Sequence, residues 1–569
     1  MDDQILKKLK SAVMASRKDL KPFRRQEEKA LKQYLGNHYG DSGSSESYPV
    51  NMLEIAVTTM IQQLAAKEPQ VLILSRTHRD DVQILEAAVN RRLLEMDFGE
   101  ELRRFVMSAL FSIGVMKVGI EETYRAQIDD EELSETDVYA QHIPFDDWVH
   151  DTSAKRWSTQ EVQFCGHKYR VPIEWVRENK NFESKARGEI KEETFDIEGM
   201  ENKMGMDGEF VPYTNLWDIW IPSEHRMVTY QEDGKSVLAS REVGRTGNYS
   251  PFHLLAFNPV LNKVMPLPPV MNWVDAHDLD NKMFVKLGQQ ASRQKTVTYA
   301  SPQSVDDAKK IIKSEDGDTV LVANPQGVRE ARFGGPDQQI LGFAGYMREM
   351  TSYVMGNLDS MAGLGAQAGT ATQESIIKNS SNARVQSMQS EVLKSVRAIV
   401  NDIFQWMWQS PLIQMRVPQT IEGTDVTYEA DWPMTMDIYG QEVDLRAGKD
   451  SHDFDIDLEP FSMQYKTPGQ RLQELRMIWQ QDIAPMMQGG LVQADAVAYM
   501  KMLSKYGDWP ELEAILQMQE GEGGGGGGGM PANTTREYIR RGESSPQSMQ
   551  GTERMMTQQA MSMGNPGQQ

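Results

Sequence analysis

The chain has little that would mark a secreted, zinc-binding or membrane-spanning protein. It contains a single cysteine, Cys165, and one of its nine histidines, His167, lies two residues after it. An intrachain disulfide is excluded and a structural zinc site is not expected. No stretch approaches 18 uninterrupted apolar residues, and the first 32 residues mix acidic with basic side chains. Neither a transmembrane helix nor a signal peptide is predicted.

The common signatures of catalysis are also missing. The sequence has no H-E-x-x-H, no G-x-S-x-G and no C-x-x-C pattern. Gly234-Lys235-Ser236 looks like the end of a phosphate loop, but Thr229 stands where the leading glycine is required. Gly363, Gly365 and Gly369 have the spacing G-x-G-x-x-x-G rather than that of a dinucleotide fingerprint, and no strand precedes them. No enzyme and no cofactor is predicted.

The charge balance argues against tight binding of nucleic acid. The 569 residues carry 60 basic and 82 acidic side chains, a net charge of −22, which opposes association with phosphates. A channel lined with acidic side chains would nevertheless allow DNA to slide through, because it repels the phosphates instead of holding them. One region has the opposite sign, with two acidic residues, Asp306 and Asp307, among seven basic ones: Lys282, Lys286, Arg293, Lys295, Lys309, Lys310 and Lys313. This basic region would face either phosphates along a channel or solvent and a neighbouring subunit.

Hydrophobic periodicity predicts a helical N-terminal part that turns into sheet. Helices are predicted within 1–36 and at 51–66, 80–95 and 99–111, with a short buried strand at 71–74. The period-two alternation at 115–123, where Lys117 lies between Met116 and Val118, predicts a half-buried strand. Residues 128–265 are predicted to be rich in strands, with a charged excursion at 181–208 that has helix around 183–193.

The run Met265-Pro266-Leu267-Pro268-Pro269 predicts the start of a long helix, because proline is favoured in the first helical turn. That helix should reach about Gln294. A small α/β insert follows, with strands at 296–299 and 319–322, a helix at 305–312, a turn at 316–318 and Gly334-Gly335-Pro336 at its end. A returning helix at 338–355 completes a hairpin.

A glycine-rich loop at 357–372 should separate this hairpin from a helix of about forty residues that ends at Ser410. Further strands are predicted at 415–418, 425–428 and 454–458, where they could rejoin the earlier sheet. Three helices are predicted at 470–481, 491–502 and 510–519, and a disordered tail from 521. The fold class predicted from these patterns is α+β, mainly helical.

This order of elements resembles the portal proteins of tailed double-stranded DNA bacteriophages over about residues 50–470. Ile143–Asp151, with Pro144 and Asp146, is similar to a Pro-x-Asp strand motif of the family. Asn258–Lys295 resembles the junction and first helix of the portal stem, including Asp275, His277, Asn281 and Gln290. Gly369–Glu374 together with Asn382-Ala383-Arg384 resembles the exit from the tunnel loop.

The resemblance implies an architecture of wing, stem hairpin, α/β clip and short helical crown. It implies the following parts: wing 1–266, first stem helix 267–295, clip 296–335, second stem helix 336–356, tunnel loop 357–372, long helix 373–410, wing return strands 411–466, crown 467–520 and disordered tail 521–569. The DNA-channel candidates are then Lys282, Lys286, Arg293, Lys295, Lys378 and Arg384. The tunnel-loop candidates are Asn357, Leu358, Met361, Gly363, Leu364, Gly365, Gln367 and Gly369. The clip candidates for docking are Asp306, Lys309, Lys310, Lys313, Asp316 and Arg329.

The resemblance also implies a function and partners. The chain would form a ring, as a dodecamer, at one capsid vertex and serve as the channel for genome packaging and ejection. Its partners would be double-stranded DNA, the terminase large subunit, a head-tail adaptor, and the major capsid and scaffolding proteins, with no membrane. It would assemble in the host cytoplasm and reside in the virion. Two alternatives remain open: another head-neck or scaffold component, and a nucleotide-binding enzyme that uses Gly363–Gly369.

Overall fold

A computed structural model gives the fold. It describes residues 3–36, 50–75, 77–78, 81–128, 131–158, 160–190, 213–243, 250–315, 317–356, 371–410, 413–420, 427–436 and 442–458. The described helices are α1 Asp3–Leu35, α2 Met52–Ala65, α3 Val82–Glu95, α4 Phe98–Phe111, α5 Ile173–Glu178, α6 Ser184–Gly188, α7 Pro269–Ser292, α8 Val305–Lys313, α9 Gln338–Val354 and α10 Ala371–Gln409. No described helix has the length and apolarity that crossing a bilayer would need.

The strands that the structure describes form six sheets. In chain order they are β1 Val71–Ser75, β2 Gly114–Ile128, β3 Glu131–His142, β4 Trp148–His150, β5 Cys165–Pro172, β6 Tyr213–Ile221, β7 Arg226–Gln231, β8 Val237–Glu242, β9 Phe252–Leu255, β10 Lys295–Ala300, β11 Val328–Phe333, β12 Met415–Thr420, β13 Thr427–Trp432, β14 Met434–Met436, β15 Glu442–Asp444 and β16 Phe454–Leu458. The largest sheet has the order β4-β5-β6-β7-β8, and a second has the order β3-β2-β9. The pairs β1-β16, β10-β11, β12-β13 and β14-β15 complete the set.

Several helices match the predicted periodicity closely. The helices predicted at 51–66, 99–111 and 338–355 are confirmed within one residue at each end, and α10 ends one residue before the predicted Ser410. β16 returns to the N-terminal part of the chain, where it pairs antiparallel with β1 in the register Val71 with Leu458. Within the predicted excursion at 181–208, the described part contains only the short helix α6.

A large hydrophobic cluster lies between the N-terminal helices and α10. Leu53, Leu102 and Phe105 pack there with Ile403 and Phe404, all with no exposed surface. The start of α7 joins the same cluster through Val270, Trp273 and Val274. Because α7 begins inside this core, the hairpin that follows is anchored to the main body at its base.

Strand β2 lies between two apolar layers, which corrects the prediction of a half-buried strand at 115–123. Val115 packs in the cluster around Trp148, whereas Met116 and Val118 belong to the cluster formed with α4 and α10. Both faces of the strand are therefore buried over this stretch, and Lys117 is only 6% exposed. Alternation of apolar and polar side chains cannot reveal this, because it assumes that one face of the strand meets water.

Helix α1 lies along the five-stranded sheet and carries a carboxyl group with an unusual pKa. Burial, and to a smaller extent the neighbouring Asp146, raise the pKa of Glu27 to about 7, although Arg24 opposes this shift. The folded state therefore holds a proton that the unfolded state releases between about pH 4.5 and pH 7. Stability from this group is present at low pH and is lost as the pH rises through that window.

We expect Glu27→Gln to raise the free energy of unfolding by about 2 kcal/mol at pH 8 and to leave it unchanged at pH 4, as measured by thermal unfolding. The neighbouring Glu28 is exposed and accepts a hydrogen bond from Lys32 at 2.8 Å, so Glu28→Gln is the matched control. Equal effects of Glu27→Gln at both pH values would contradict the prediction.

Candidate functional site

Helices α7 and α9 pack side by side and run antiparallel. At one end, the backbone N–H of Asp337 donates to Gln290 Oε1 at 3.2 Å. At the other end, Pro269 and Trp273 line the same cavity as Val354 and Met355. We call α7 and α9 the hairpin, and residues 295–333 between them the tip.

Polar side chains fix the base of the hairpin to the N-terminal part of the chain. Asn281 Nδ2 donates to the carbonyl oxygen of His277 at 3.0 Å, and Asn281 Oδ1 accepts from the N–H of Val50 at 3.1 Å. His277 Nδ1 lies 3.3 Å from Gln33 Oε1 of α1. Burial lowers the pKa of His277, which favours the neutral ring. His277 and Asn281, on which the sequence resemblance partly rests, therefore hold the hairpin in place.

Beyond its base the hairpin has almost no apolar core. Between residues 279 and 353, Ala308 and Ala344 are the buried hydrophobic residues that the structure describes. The same span holds half of the large apolar side chains that are exposed in the described chain, 13 of 26. They are Leu279, Val297, Tyr299, Val305, Ile311, Ile312, Leu321, Phe333, Leu341, Phe343, Tyr346, Met350 and Tyr353. A surface of this size and apolarity is typical of a protein–protein interface.

The two helices of the hairpin present different chemistry. Lys282 and Lys286 are exposed on α7, and Arg293 is exposed directly after its last residue. Their spacing of four and seven residues places the three on one side along about 17 Å. Lys282 also donates to Asp278 at 2.7 Å. On α9, Phe343, Tyr346 and Met350 share another exposed face. The hairpin thus has a basic face on α7 and an apolar, aromatic face on α9.

The tip contains a two-stranded sheet and one helix, which corrects the predicted strand at 319–322. β10 pairs antiparallel with β11 in the register Lys295 with Phe333 and Ala300 with Val328. The partner strand therefore begins after the turn at Pro325–Gly327, and residues 319–322 belong to no strand. The apolar residues 319–322 have a stronger strand pattern than residues 328–333. The position of the turn and the register with β10 nevertheless make 328–333 the strand that pairs.

The tip candidates occupy exposed positions. Lys309 lies 3.5 Å from Asp306 on α8, and Lys310 and Lys313 are also exposed on that helix. Arg329 lies on β11 opposite Tyr299. Lys295 begins β10, close to the end of the basic face of α7. Asp316 lies outside the described residues.

Asp307 has a role that the sequence did not indicate. It is 7% exposed, and its Oδ2 accepts hydrogen bonds from the N–H groups of Ala323 and Asn324 at 2.9 and 3.3 Å. This carboxylate therefore fastens the segment before β11 to helix α8. An acidic residue beside several lysines gave no signal of such a buried contact.

Two basic candidates lie on α10. Arg384 contacts the end of the hairpin, because its guanidinium lies 3.5 Å from the carbonyl oxygen of Val354 and 5.6 Å from the centre of the Tyr353 ring. It lines a cavity of about 500 Å³ together with Trp273 and Met388. Lys378 belongs to α10, but its side chain is not among those that the structure describes. The eight tunnel-loop candidates between Asn357 and Gly369 also lie outside the described residues.

Gly234-Lys235-Ser236, which looked like the end of a phosphate loop, belongs to the turn between β7 and β8. Lys10 of α1 donates to the carbonyl oxygens of Glu232 and Gly234 at this turn. The carbonyl groups of the turn thus point at an ammonium ion from the same chain, an arrangement that suits a structural contact rather than a phosphate. Among the described residues, no cluster of three or more histidine, cysteine or acidic side chains is arranged to hold a metal ion.

A buried ion pair joins the two main sheets, and no pattern in the sequence indicated it. Lys117 Nζ of β2 donates to Asp218 Oδ2 of β6 at 2.8 Å. Asp218 Oδ1 also accepts from the Thr229 hydroxyl at 2.6 Å and from the Tyr169 hydroxyl at 3.3 Å. Burial by itself would raise the pKa of Asp218, but Lys117 outweighs it, and the pKa lies well below the usual range. The two residues are about a hundred positions apart, so only the fold reveals their contact.

Comparison with known proteins leaves the family open. No protein-family model matches the chain, and no curated protein matches it in sequence. A solved structure described as "Neck of empty GTA particle computed with C6 symmetry" superposes with a TM-score of 0.35 and 9% sequence identity. The superposition covers 78% of this chain and 88% of that one. An overlap at this TM-score does not establish a shared fold.

Proposed function

We propose that the chain is a portal subunit, a non-enzymatic component of the ring at the head-tail junction of a tailed bacteriophage or phage-like particle. The observation that carries this proposal is the span 279–353, the hairpin beyond its base together with the tip, where 13 large apolar side chains are exposed and two alanines are the buried hydrophobic residues described. An isolated chain would leave this surface in water. Packing against copies of itself in a closed ring would cover it.

The two faces of the hairpin suit such a ring. The apolar face of α9, with Phe343, Tyr346 and Met350, would pack against a neighbouring copy. The basic face of α7, with Lys282, Lys286 and Arg293, would be available to phosphates in the central channel. The N-terminal helices and sheets would form the wing, and the tip would form the clip that docks a packaging terminase and later a head-tail adaptor. ATP hydrolysis would belong to the terminase.

The oligomeric state tests the proposal directly. Size-exclusion chromatography with light scattering should give a single large oligomer for the purified full-length chain, and negative-stain microscopy should show a ring with a central hole. A stable monomer at all salt and protein concentrations would overturn the proposal. A nucleotide-binding enzyme, the alternative left open by the glycine spacing, would instead show saturable nucleotide binding in calorimetry.

The basic face of α7 should affect how the ring holds DNA. We expect replacement of Lys282, Lys286 and Arg293 by glutamine to leave ring formation intact and to weaken retention of duplex DNA. The salt dependence of retention should also fall, by about 0.9 in logarithmic slope for each phosphate contact removed. Lys263→Gln, at an exposed lysine before the hairpin, is the control. Unchanged retention and slope in the triple variant would show that this face does not meet DNA.

A further inference from the structure

The exposed side of α1 is basic, although the chain as a whole is acidic. The helix packs against the rest of the chain through Leu6, Val13 and Leu20, which are almost fully buried. Separations of 11, 3, 4 and 4 residues place the following five exposed residues on one side of the helix, along about 33 Å: Lys7, Lys18, Lys21, Arg25 and Lys29. We call these five residues the α1 basic face.

The α1 basic face has no acidic partner in the described part of the chain. Other basic residues of the helix do have one: Arg17 lies 2.6 Å from Glu232, and Arg24 lies 3.7 Å from Asp146. Among the residues that the structure describes, no carboxylate lies within 4 Å of the five. Like charges three and four residues apart on a helix repel one another, so an acidic partner would stabilise this face.

Strand β2 extends beyond the sheet that it forms with β9. Among the described strands, β9 pairs with Gly114–Lys117, whereas β3 pairs with β2 as far as Ile128. Residues 119–128 and 131–139 therefore form a two-stranded arm of about 33 Å, which matches the length of the α1 basic face. The arm has six acidic residues and one basic residue: Glu121, Glu122, Glu131, Glu132, Glu135, Asp137 and Arg125.

The arm has little to stabilise it by itself. Two strands alone are at best marginally stable in water. Glu121 lies directly opposite Asp137 in the register, and like charges in a cross-strand pair are unfavourable. Arg92 of α3 offsets this repulsion at the base of the arm, where its guanidinium lies 3.2 Å from Asp137. A basic surface along the rest of the arm would do the same for its other glutamates.

The arm and the α1 basic face belong to different parts of the subunit. Arg92 donates to the carbonyl oxygen of Val138 at 2.6 Å, so the arm begins beside α3. The hydroxyl of Ser16 donates to the carbonyl oxygen of His150 at 2.7 Å, so α1 lies beside β4. Each subunit thus carries one acidic and one basic element of equal length in separate places, which is what a head-to-tail contact between copies requires.

We propose that the arm of one subunit lies along the α1 basic face of the next subunit. The inference rests on the proposed ring, in which each subunit gives one arm and receives one. The arm would also cover Met14, which is 69% exposed on the same side of α1. Because the contact is electrostatic, added salt should weaken it, unlike the apolar contact expected at α9.

Charge reversal of either element tests the contact. The α1 variant carries Lys18→Glu, Lys21→Glu and Arg25→Glu, and the arm variant carries Glu122→Lys, Glu132→Lys and Glu135→Lys. Each variant alone should raise the protomer concentration needed for half assembly at least about ten-fold, as measured by light scattering. The matched control reverses three exposed lysines elsewhere and should assemble like the parent: Lys67→Glu, Lys155→Glu and Lys263→Glu.

Mixing the two variants distinguishes a contact between subunits from one within a chain. In an equimolar mixture, the acidic arm of the α1 variant meets the basic face of the arm variant, and the basic arm of the arm variant meets the reversed face of the α1 variant. An alternating ring with an even number of subunits should therefore form at the parent's concentration. A contact within one chain would not be restored by mixing.

The outcomes separate this inference from the portal proposal. If the parent forms rings and both variants assemble like the control, or the mixture assembles no better than either variant, the inference is overturned and the portal proposal stands. Normal assembly of the α1 variant with reduced binding of duplex DNA would also overturn it and assign the α1 basic face to nucleic acid. Absence of any ring in the parent would overturn both.

Discussion

Replacing Asp218 by asparagine should lower the free energy of unfolding by about 3 to 5 kcal/mol, the usual effect of leaving a buried charge without its partner. The side chains of Lys117 and Asp218 are only 8% and 4% exposed. Asparagine retains the shape and can still bond to Thr229, but the Lys117 ammonium would remain buried with no counter-charge. Denaturant unfolding followed by circular dichroism measures the difference.

The matched control is Asp457→Asn. Asp457 is half exposed on β16, and its carboxylate lies 3.9 Å from Arg397, so its loss should change stability by less than about 1 kcal/mol. The double variant Lys117→Met, Asp218→Leu should be more stable than Asp218→Asn, because it removes both charges. Equal stability of Asp218→Asn and the parent protein would show that the pair does not join the two sheets energetically.

The same pair predicts a dependence on pH. The pKa of Asp218 is lowered in the folded state, so this carboxylate stabilises the fold at pH values above its unfolded pKa of about 3.9. That contribution is lost progressively as the pH falls below about 4. The parent protein should therefore lose stability in this range more steeply than Asp218→Asn, and parallel acid-denaturation curves for the two would contradict the assignment.

Replacing Phe343, Tyr346 and Met350, the apolar face of α9, together by serine should convert the ring into monomers while the chain stays folded. These side chains are 46%, 58% and 37% exposed in the single chain, so covering them contributes about 1 kcal/mol each to assembly. Their loss should weaken each interface by about 3 kcal/mol, which corresponds to a more than 100-fold change in affinity. Light scattering reports the mass of the assembly.

Thermal unfolding separates loss of assembly from loss of fold. Since the three side chains contribute little to the core of the single chain, the midpoint of the monomer should change by only a few degrees. Met14→Ser and Leu94→Ser remove side chains that are 69% and 62% exposed outside the hairpin, and both variants should still assemble. A triple variant that forms the ring as readily as the parent would show that the α9 face is not an interface.

The start of α7 and the length of α10 were predictable because each depends on local order in the sequence. Two adjacent prolines, Pro268 and Pro269, set the start of α7, and apolar spacings of three and four run through the described helix α10 as far as Met407. The cluster of basic residues between 282 and 313 could also be recognised from the sequence. These properties follow from neighbours within one or two helical turns, so periodicity reports them.

The pairing of strands and the burial of charges depended on the tertiary structure. Lys117 alternates with apolar residues like any solvent-facing side chain, yet its strand lies between two layers. Asp307 looks like one acid among lysines, yet it fastens a backbone segment. Leu321 lies in the stronger strand pattern, yet β10 pairs with β11 instead. The sequence by itself determined where helices and strands form, because that choice is local. Which groups lose contact with water was decided by the fold, because burial depends on residues a hundred positions away.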